Sequence, residues 1–337
     1  MYKGHTVGVV VPAYNEEGFV GEVIDTMPSF VDRVYVVDDG STDGTWEEIE
    51  RHAAKANQQR EPTARRADGG VGFDDRVVPI RHGENKGVGN TIKTGYLRAR
   101  KDRMDVTAVM GGDGQMDPDI LDRIIDPVVE GEADYAKGNR LLDREYRDGM
   151  SRWRFLGNAV LTFLTKIASG YWKTMDPQNG YTAISLAALD NVGVERMYGY
   201  YGYCNDLLVR LNVRGMRVAD VAMPAVYGDE ESSITYRRYI PKVSLMLLRD
   251  FLWRLKTRYL VLDFHPLALF YVLGAALCLL GALAGGWSLY GKLADGTPFF
   301  LRGATSLVVF TLGSLFLLTA MTLDMQVSQD KEVQRYE

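Results

Sequence analysis

The sequence predicts an α/β domain with a mainly parallel sheet, followed by interfacial helices and a two-helix transmembrane hairpin. Short apolar runs rich in β-branched residues, at residues 7–11, 34–37 and 106–110, predict strands buried on both faces, as in parallel sheets. Glycines, acids and other turn residues follow each run, as expected where a strand ends. Two uncharged tracts, residues 266–291 and 303–323, are each long enough to span a bilayer.

The first predicted strand runs from residue 7 to Pro12. Proline cannot donate to the ladder of a sheet, so the strand is expected to stop there. Glu16 and Glu17 are then expected in the first turn of a helix, whose dipole favours acids. Tyr14 would lie beside the end of the strand, where its ring could stack on a flat base. Taken alone, the segment is also compatible with a plain strand-turn-helix.

The second predicted strand, residues 34–37, is followed by a cluster of acids and turn residues. Asp43 or Thr42 can cap a helix that begins near Thr45. Asp38 and Asp39 would then be free at the end of the strand. Their carboxylates could accept hydrogen bonds from a base or from a ribose hydroxyl.

The third predicted strand, residues 77–81, leads into a glycine-rich turn that contains Gly87 and Gly89. Glycine lets a backbone approach a ligand closely, and a helix N-terminus attracts phosphate. Lys86 adds a positive charge to the same turn. One glycine-rich turn is weak evidence, but this is the third strand end of the same kind.

The fourth predicted strand, residues 106–110, opens into Gly111, Gly112 and Asp113. Open α/β sheets bind ligands at the carboxyl ends of their strands. An isolated carboxylate there suits a divalent cation that carries a nucleotide diphosphate. For this segment alone, an aspartate in an ordinary glycine-rich turn is the alternative.

In this order, the four segments resemble the signatures of the family 2 glycosyltransferases, over about residues 5–235. The resemblance implies a nucleotide-sugar-binding GT-A fold and a Mg²⁺ or Mn²⁺ ion held by Asp113 and Gln115. The family usually has an acid where this chain has Gly111. The nucleotide-sugar-binding residues that the resemblance implies are Pro12, Ala13, Tyr14, Glu16, Asp38, Asp39, Lys86, Gly87, Gly112 and Asp113.

Composition fits one large soluble domain with an added segment, since 46% of the 337 residues are hydrophobic and 25% are charged. The net charge of −5 argues against nucleic acid as the main partner. Cys204 and Cys278 lie far apart, which predicts neither a disulfide framework nor a zinc site. The four histidines show no metal-ligand spacing and are expected to be surface or structural residues. The polar segment 56–75 is expected to be an excursion without an assigned function.

The basic residues flanking the two apolar tracts predict how the chain crosses the membrane. Arginines and lysines are frequent in residues 237–258, whereas the loop between the tracts offers Lys292, with Arg302 at its boundary. The positive-inside rule then places the large domain and both termini in the cytoplasm, in a multi-pass protein of the cell membrane. The N-terminus enters a strand almost at once, so no signal peptide is expected.

The predicted domains are residues 1–235, juxtamembrane helices at 236–264, the hairpin at 265–325 and a cytoplasmic tail at 326–337. Residues 239–262 are expected to lie on the membrane surface. Residues 153–172 are either a second interfacial helix or a helix of the globular core. Whether the hairpin forms a homo-oligomer is left open.

Further segments resemble a narrower group, the polyprenyl-phosphate glycosyltransferases that include the dolichyl-phosphate mannose synthases. They are residues 137–140, 176–181, 205–208 and 215–218, with Asn179 where serine or threonine is more common. The resemblance implies a lipid-phosphate acceptor, inversion at the sugar carbon and Asp206 as candidate base. Arg140, Lys137 and Arg237 are the expected lipid-phosphate ligands, and Asp113, Asp206 and Arg140 the expected catalytic residues.

The expected reaction moves a hexose from a UDP- or GDP-sugar to polyprenyl or dolichyl phosphate at the cytoplasmic membrane face. A phosphate monoester, with a second pKa near ~6, is already anionic at pH 7, so it needs orientation and charge screening more than a strong base. One alternative is a family 2 transferase that extends a polysaccharide or a lipid-linked glycan, for which Asp206 would be an essential base. The other is a non-catalytic nucleotide-sugar sensor or membrane scaffold, which Gly111 leaves open.

Overall fold

The computed structural model describes residues 1–59, 73–141, 152–224 and 236–336, and the side chains of residues 152–158 and 236–239 lie outside this description. Most of the polar segment 56–75 therefore falls outside it. The described chain forms two compact units, one of Met1–Asp250 with Asp330–Glu337 and one of Phe251–Gln329. The predicted boundaries at 235 and 325 thus differ from those of the two units.

The first unit is built on one mixed sheet, in which every described strand except β6 runs in the same direction. The strand order across the sheet is β3-β2-β1-β4-β6-β5-β7-β8. The strands are β1 (Val7–Ala13), β2 (Arg33–Asp38), β3 (Val77–Arg81), β4 (Val106–Val109), β5 (Tyr135–Asn139), β6 (Thr182–Ser185), β7 (Val218–Ala222) and β8 (Glu332–Arg335). This mainly parallel, GT-A-like sheet confirms the predicted fold class, and it brings the carboxyl ends of all strands but β6 to one edge.

Helices cover both faces of the sheet. Val9 and Val11 belong to one buried apolar cluster and Val10 to the other, because successive side chains of a strand point to opposite faces. The helices are α1 (Val20–Asp25), α2 (Thr45–Gln58), α3 (Val88–Lys101), α4 (Leu121–Val129), α5 (Arg152–Ser169), α6 (Leu186–Asn191), α7 (Tyr203–Val213) and α8 (Tyr236–Lys256).

The chain between β1 and α1 differs from its prediction in two ways. Strand β1 continues through Pro12 to Ala13. The ladder between β1 and β4 ends at Val10, so it does not require an N–H from Pro12. The Pro12 carbonyl still accepts from Gly112 N at 3.1 Å. Glu16 and Glu17 were expected in the first turn of a helix, and this is wrong, since α1 begins at Val20. The left-handed Gly18, at φ +90°, separates the two glutamates from the helix.

Helix α5 packs one face against α7, with Leu161 and Ala168 buried. Val160 and Phe163 on its other face are 45% and 51% exposed. The buried face supports the core-helix alternative for residues 153–172. The exposed face leaves the interfacial interpretation as a prediction.

The second unit contains the π-helical segment Thr257–Leu262 and two long helices, α9 (Leu267–Asp295) and α10 (Phe300–Ser328). Both helices are long and apolar enough to cross a membrane, and their apolar side chains are mostly exposed. They cover the two predicted spans. A fully buried pair links the segment before the π-helix to α10, with Arg254 Nη2 at 2.7 Å from Asp324 Oδ2.

The chain returns to the sheet after α10. Residues 326–337 were predicted to be a tail, but β8 within this segment pairs in parallel with β7, with Val218 opposite Glu332 and Val221 opposite Arg335. Arg335 also forms ion pairs with Glu130 and Glu132. The end of the chain is therefore a structural part of the first unit.

Candidate active site

Backbone hydrogen bonds join the strand ends that were predicted to converge. Gly112 N donates to Pro12 O at 3.1 Å, and Asp39 N donates to Ala13 O at 2.9 Å. A Cβ atom at Gly112 would lie 2.9 Å from Pro12 O, so only glycine fits this contact without a shift. Tyr14, next to this junction, is 43% exposed, as a residue that stacks on a base requires.

Asp39 was expected to be free for a ligand, and this is wrong for the described structure. Its side chain is buried and accepts from Lys86 N at 3.0 Å and from Gly87 N at 2.8 Å. Its Oδ1 also lies 2.7 Å from His82 Nδ1. Asp39 therefore fixes the turn after β3, and His82 is one of the expected structural histidines.

Asp38 is likewise committed to the protein. Its fully buried carboxylate accepts from Ser41 N at 3.0 Å and lies 3.2 Å from Arg81 Nε. Asp43, and not Thr42, accepts from Thr45 N and Oγ1 at the start of α2. The two strand-end aspartates thus shape the loops, and their contact with a nucleotide stays a prediction.

The structure shows a second reason for the glycines after β3, and their close approach to a ligand stays a prediction. A Cβ atom at Gly87, which has φ +92°, would meet Tyr200 Cδ1 at 2.6 Å, and one at Gly89 would collide with Tyr198 O. Asn90 N donates to Gly199 O at 3.0 Å. The absence of side chains at Gly87 and Gly89 thus leaves room for the loop at residues 198–200. Lys86 remains exposed, and its role toward a ligand stays a prediction.

Asp206 lies in the first turn of α7 and fixes the loop that covers the start of α3. Its carboxylate is 3% exposed and accepts from Tyr198 N at 2.7 Å and from Arg210 Nε at 2.8 Å. Asp250 of α8 lies close by, and burial together with the Asp206 charge raises the pKa of Asp250 to about 7. This arrangement suits an orienting role for Asp206 better than rapid proton exchange with solvent.

Lys137 was predicted to bind the lipid phosphate, and its burial contradicts this. The side chain has no exposed surface, and its Nζ lies 2.9 Å from Asp220 Oδ1 on the neighbouring strand β7. Nζ also donates to Met175 O and to Asp176 O. The strand register places Lys137 directly opposite Asp220, which explains why the lysine turns inward.

Arg140 follows β5 at the same edge of the sheet and retains 31% side-chain exposure. Its Nε and Nη2 donate to the two carboxylate oxygens of Asp176 at 2.8 and 3.0 Å. Burial alone would raise the pKa of Asp176, but Arg140 and then Lys137 lower it below its usual value. Arg237 lies in α8, and its side chain is outside the described part of the structure.

Sequence reasoning gave Asp176 no role, although it begins one of the quoted motifs. Asp176 is buried and adopts φ +46°, a conformation that non-glycine residues rarely adopt. Such a backbone persists only where its surroundings fix it. An aspartate before proline, shortly after a glycine-aromatic pair, is the sequence signal that would have marked this turn.

Asp113 and Gln115 occupy the turn after β4, where Gln115 N donates to Asp113 Oδ1 at 3.1 Å. Among the described residues, no three histidine, cysteine or acidic side chains are gathered as a metal site. One carboxylate and one amide fit Mg²⁺, which is often held by one or two carboxylates, substrate phosphates and water. A Cβ atom at Gly111 would lie 2.8 Å from Asp113 Oδ1, so any side chain at position 111 would displace the Asp113 carboxylate.

The proteins similar to this chain include two curated relatives and one solved structure. It is 27% identical over 225 residues to a UDP-N-acetylglucosamine–dolichyl-phosphate N-acetylglucosaminyltransferase of Methanococcus voltae, covering 66% of this chain and 86% of the relative. It is 28% identical over 242 residues to the polyprenol monophosphomannose synthase of Mycolicibacterium smegmatis, covering 67% and 79%.

The solved structure is glucosyl-3-phosphoglycerate synthase from Mycobacterium tuberculosis with phosphoglyceric acid, which shares the fold at a TM-score of 0.51 and 20% identity over 74% of this chain and 80% of that one. The family model for glycosyl transferase family 2 matches residues 8–193, which is more than half of the chain. The chain therefore belongs to glycosyl transferase family 2 and is a glycosyltransferase.

Proposed function

We propose that this glycosyltransferase moves a hexose from a nucleotide sugar to the phosphate of a polyprenyl or dolichyl phosphate at a membrane. The observation that carries the proposal is the place of Arg140. It is partly exposed at the carboxyl end of β5, two strand positions from the β4 that leads to Asp113. At the usual strand spacing, this separates the two strands by ~10 Å, which suits a donor diphosphate at one end and an acceptor phosphate at the other.

Two further observations support a lipid acceptor. The names of both curated relatives specify a lipid or polyprenol acceptor, and the chain carries two helices of membrane-spanning length. A guanidinium presents donors in a fixed fork that matches phosphate oxygens. Asp176 holds two of these N–H groups, so the orientation of the fork is set before a ligand arrives.

In the proposed reaction, an oxygen of the lipid phosphate attacks the anomeric carbon of the sugar. The bond from that carbon to the nucleoside diphosphate breaks with inversion, and the diphosphate leaves with the electron pair. Asp113 and Gln115 would hold a divalent cation, which when bound offsets the charge of the leaving diphosphate. Lys86 is exposed and adds positive charge at the same edge of the sheet.

The acceptor is already an anion, so the reaction needs no strong base. Asp206 acts in this account by holding the loop at residues 198–202 through Tyr198 N. Arg140 aligns the acceptor phosphate and screens its charge against the negative donor. Binding of the acceptor phosphate therefore depends most on the positive charge of Arg140.

The membrane side and the donor belong to the same proposal. Basic residues are frequent before the first span, which favours the cytoplasmic face for the catalytic unit. A UDP- or GDP-linked sugar is the proposed donor.

The second candidate is extension of a polysaccharide or lipid-linked glycan at a sugar hydroxyl. Asp206 would be the base in that reaction, because a neutral hydroxyl must lose a proton during attack. Membership of an enzyme family leaves the non-catalytic sensor without support.

The test uses the purified full-length protein in detergent with labelled UDP- and GDP-sugars. Each donor is offered with a short polyprenyl phosphate, with the matching polyprenol and without lipid, and the products are identified by mass. We expect a glycolipid only with the phosphate. A product formed equally well from polyprenol, or only with an oligosaccharide acceptor, would contradict the proposal.

A further inference from the structure

The C-terminal strand β8 holds the loop that carries Asp176. The Glu332 carboxylate accepts from three consecutive backbone groups, Trp172 N at 2.9 Å, Lys173 N at 2.6 Å and Thr174 N at 2.9 Å. The glutamate is 9% exposed, so these bonds form largely away from water. Hydrogen bonds to a carboxylate are stronger than those between neutral groups, which makes this a firm attachment.

The next residues of the loop are held from the adjacent strand. Met175 N donates to Asp220 Oδ2 of β7 at 2.8 Å. Lys137 Nζ, which pairs with Asp220, also donates to the carbonyls of Met175 and Asp176. Every backbone N–H from residue 172 to residue 175 thus donates to one of two buried carboxylates, on β8 and β7.

The loop ends at Asp176, whose two carboxylate oxygens receive Nε and Nη2 of Arg140. Asp176 has the left-handed φ of +46°, which costs free energy and requires support from the neighbouring chain. The described contacts that supply this support include those from Glu332, Asp220 and Lys137. The position of the Arg140 guanidinium therefore depends on a carboxylate that the chain reaches only after α10.

We infer that Glu332 is a positioning residue for the acceptor phosphate, acting through the 172–176 loop and Asp176 on Arg140. The inference rests on the proposed role of Arg140. Strand β8, which follows the hairpin in the chain, would then help to align the acceptor site.

The test compares Glu332→Ala with Arg335→Ala in full-length protein. Arg335 lies on the same strand but pairs with the exposed carboxylates of Glu130 and Glu132. We expect Glu332→Ala to raise the KM for short polyprenyl phosphate by about 10-fold to 10²-fold, as small misplacements of a binding group do. Donor affinity, measured by titration calorimetry, should stay within about twofold, and Arg335→Ala should leave both values near wild type.

A double-mutant cycle separates positioning from general damage to the fold. If Glu332 acts through Arg140, Glu332→Ala should add less than about twofold to the acceptor KM in an Arg140→Ala background. Equal factors in both backgrounds, or a parallel loss of donor affinity, would overturn the inference. An Arg140→Ala variant with a wild-type acceptor KM would contradict the proposed function itself, and the inference with it.

Glu332→Gln provides a second variant, because it keeps the side-chain length and one acceptor oxygen. It should give an acceptor KM between those of wild type and Glu332→Ala. Amide hydrogen exchange measures the bonds between Glu332 and the loop and does not depend on enzymatic turnover. The amides of residues 172–174 should lose protection in Glu332→Gln. Unchanged protection of these amides would overturn the inference.

Discussion

Lys137 and Asp220 form an ion pair of 2.9 Å between neighbouring strands, with side chains that are 0% and 2% exposed. Burial raises the pKa of Asp220, and the lysine charge opposes this rise. Removing one partner of such a pair leaves an uncompensated buried charge, which is much more costly than removing both. The pair therefore belongs to the framework under the acceptor site and not to its surface.

We predict that Lys137→Met lowers the free energy of unfolding by about 3–5 kcal/mol. The remaining Asp220 carboxylate would then have lost its fully buried ion-pair partner. Thermal or denaturant unfolding of the detergent-solubilised protein measures the loss.

The matched control is the double variant Lys137→Met/Asp220→Leu, which should recover a large part of that stability because no isolated charge remains. A Lys137→Met protein with wild-type stability and only a higher KM for the lipid phosphate would restore Lys137 as a phosphate ligand.

Asp113 provides the carboxylate of the glycine-rich turn at residues 111–115, which follows β4, and transfer should depend on it. We predict that Asp113→Ala abolishes transfer, and that a chelator does so reversibly in wild type, with Mg²⁺ or Mn²⁺ restoring it. Gly111→Ala should raise the metal concentration needed for half-maximal transfer, because its Cβ would lie 2.8 Å from Asp113 Oδ1 and displace that carboxylate. Full activity of Asp113→Ala in the presence of chelator would refute this metal assignment.

The Asp250 carboxyl predicts a pH-dependent stability. Its folded pKa of about 7 lies above the ordinary value of 3.8, so its favourable contribution is complete below pH ~4 and is lost as the pH rises through about 7. Asp250→Asn keeps a hydrogen-bond donor for Asp206 and cannot ionise. It should stabilise the protein by on the order of 2 kcal/mol at pH 8 and much less at pH 5.

Melting temperatures at pH 5 and pH 8 check this expectation. Asp119→Asn, at an exposed carboxylate, serves as the control and should show no such trend. An Asp250→Asn effect of equal size at both pH values would show that the Asp250 carboxyl does not titrate in this range.

Removing the hairpin should release the protein from the membrane, but the place of the cut matters. The sequence alone suggests that deletion from Pro266 onward leaves the catalytic fold intact. The structure revises this, because the deletion also removes β8 and the Glu332 attachment. We predict that the truncated chain is extracted by carbonate but melts several degrees lower than a variant whose residues 267–328 are replaced by a flexible linker.

Both variants are compared by carbonate and salt extraction of membranes and by thermal unfolding. Persistence of the truncated chain in carbonate-washed membranes would show that the hairpin is not the main anchor. Equal melting temperatures would show that β8 adds little to the catalytic unit.

The sequence predicted the features that depend on local patterns. Four strands, the helices after Gly44 and Gly87 and the two long apolar helices follow from β-branched runs, turn residues and uncharged tracts. The roles of Asp39 and Gly87 could not be predicted, because their partners lie on loops far along the chain.

The acceptor region shows the same limit more strongly. Arg140 was identified as a site residue, but the carboxylates that orient it come from residue 176 and, through the loop before it, from residue 332. A buried lysine such as Lys137 and an exposed one give the same sequence pattern, and only the register of β5 on β7 separates them. The orientation of Arg140 and the burial of Lys137 depend on contacts between distant parts of the chain, which composition and motif spacing do not reveal.

The most direct test of the central claim compares Arg140→Ala with Asp206→Asn at saturating nucleotide sugar and varied polyprenyl phosphate, with folding checked for each. If the acceptor is a phosphate, Asp206→Asn should retain measurable transfer, since the amide keeps the shape and no proton must be removed. Arg140→Ala should lose more, through a higher acceptor KM. An inactive Asp206→Asn, with the loss of about 10² to 10⁴ in rate expected for a missing base, beside a wild-type Arg140→Ala would contradict the lipid-phosphate acceptor and favour a sugar hydroxyl.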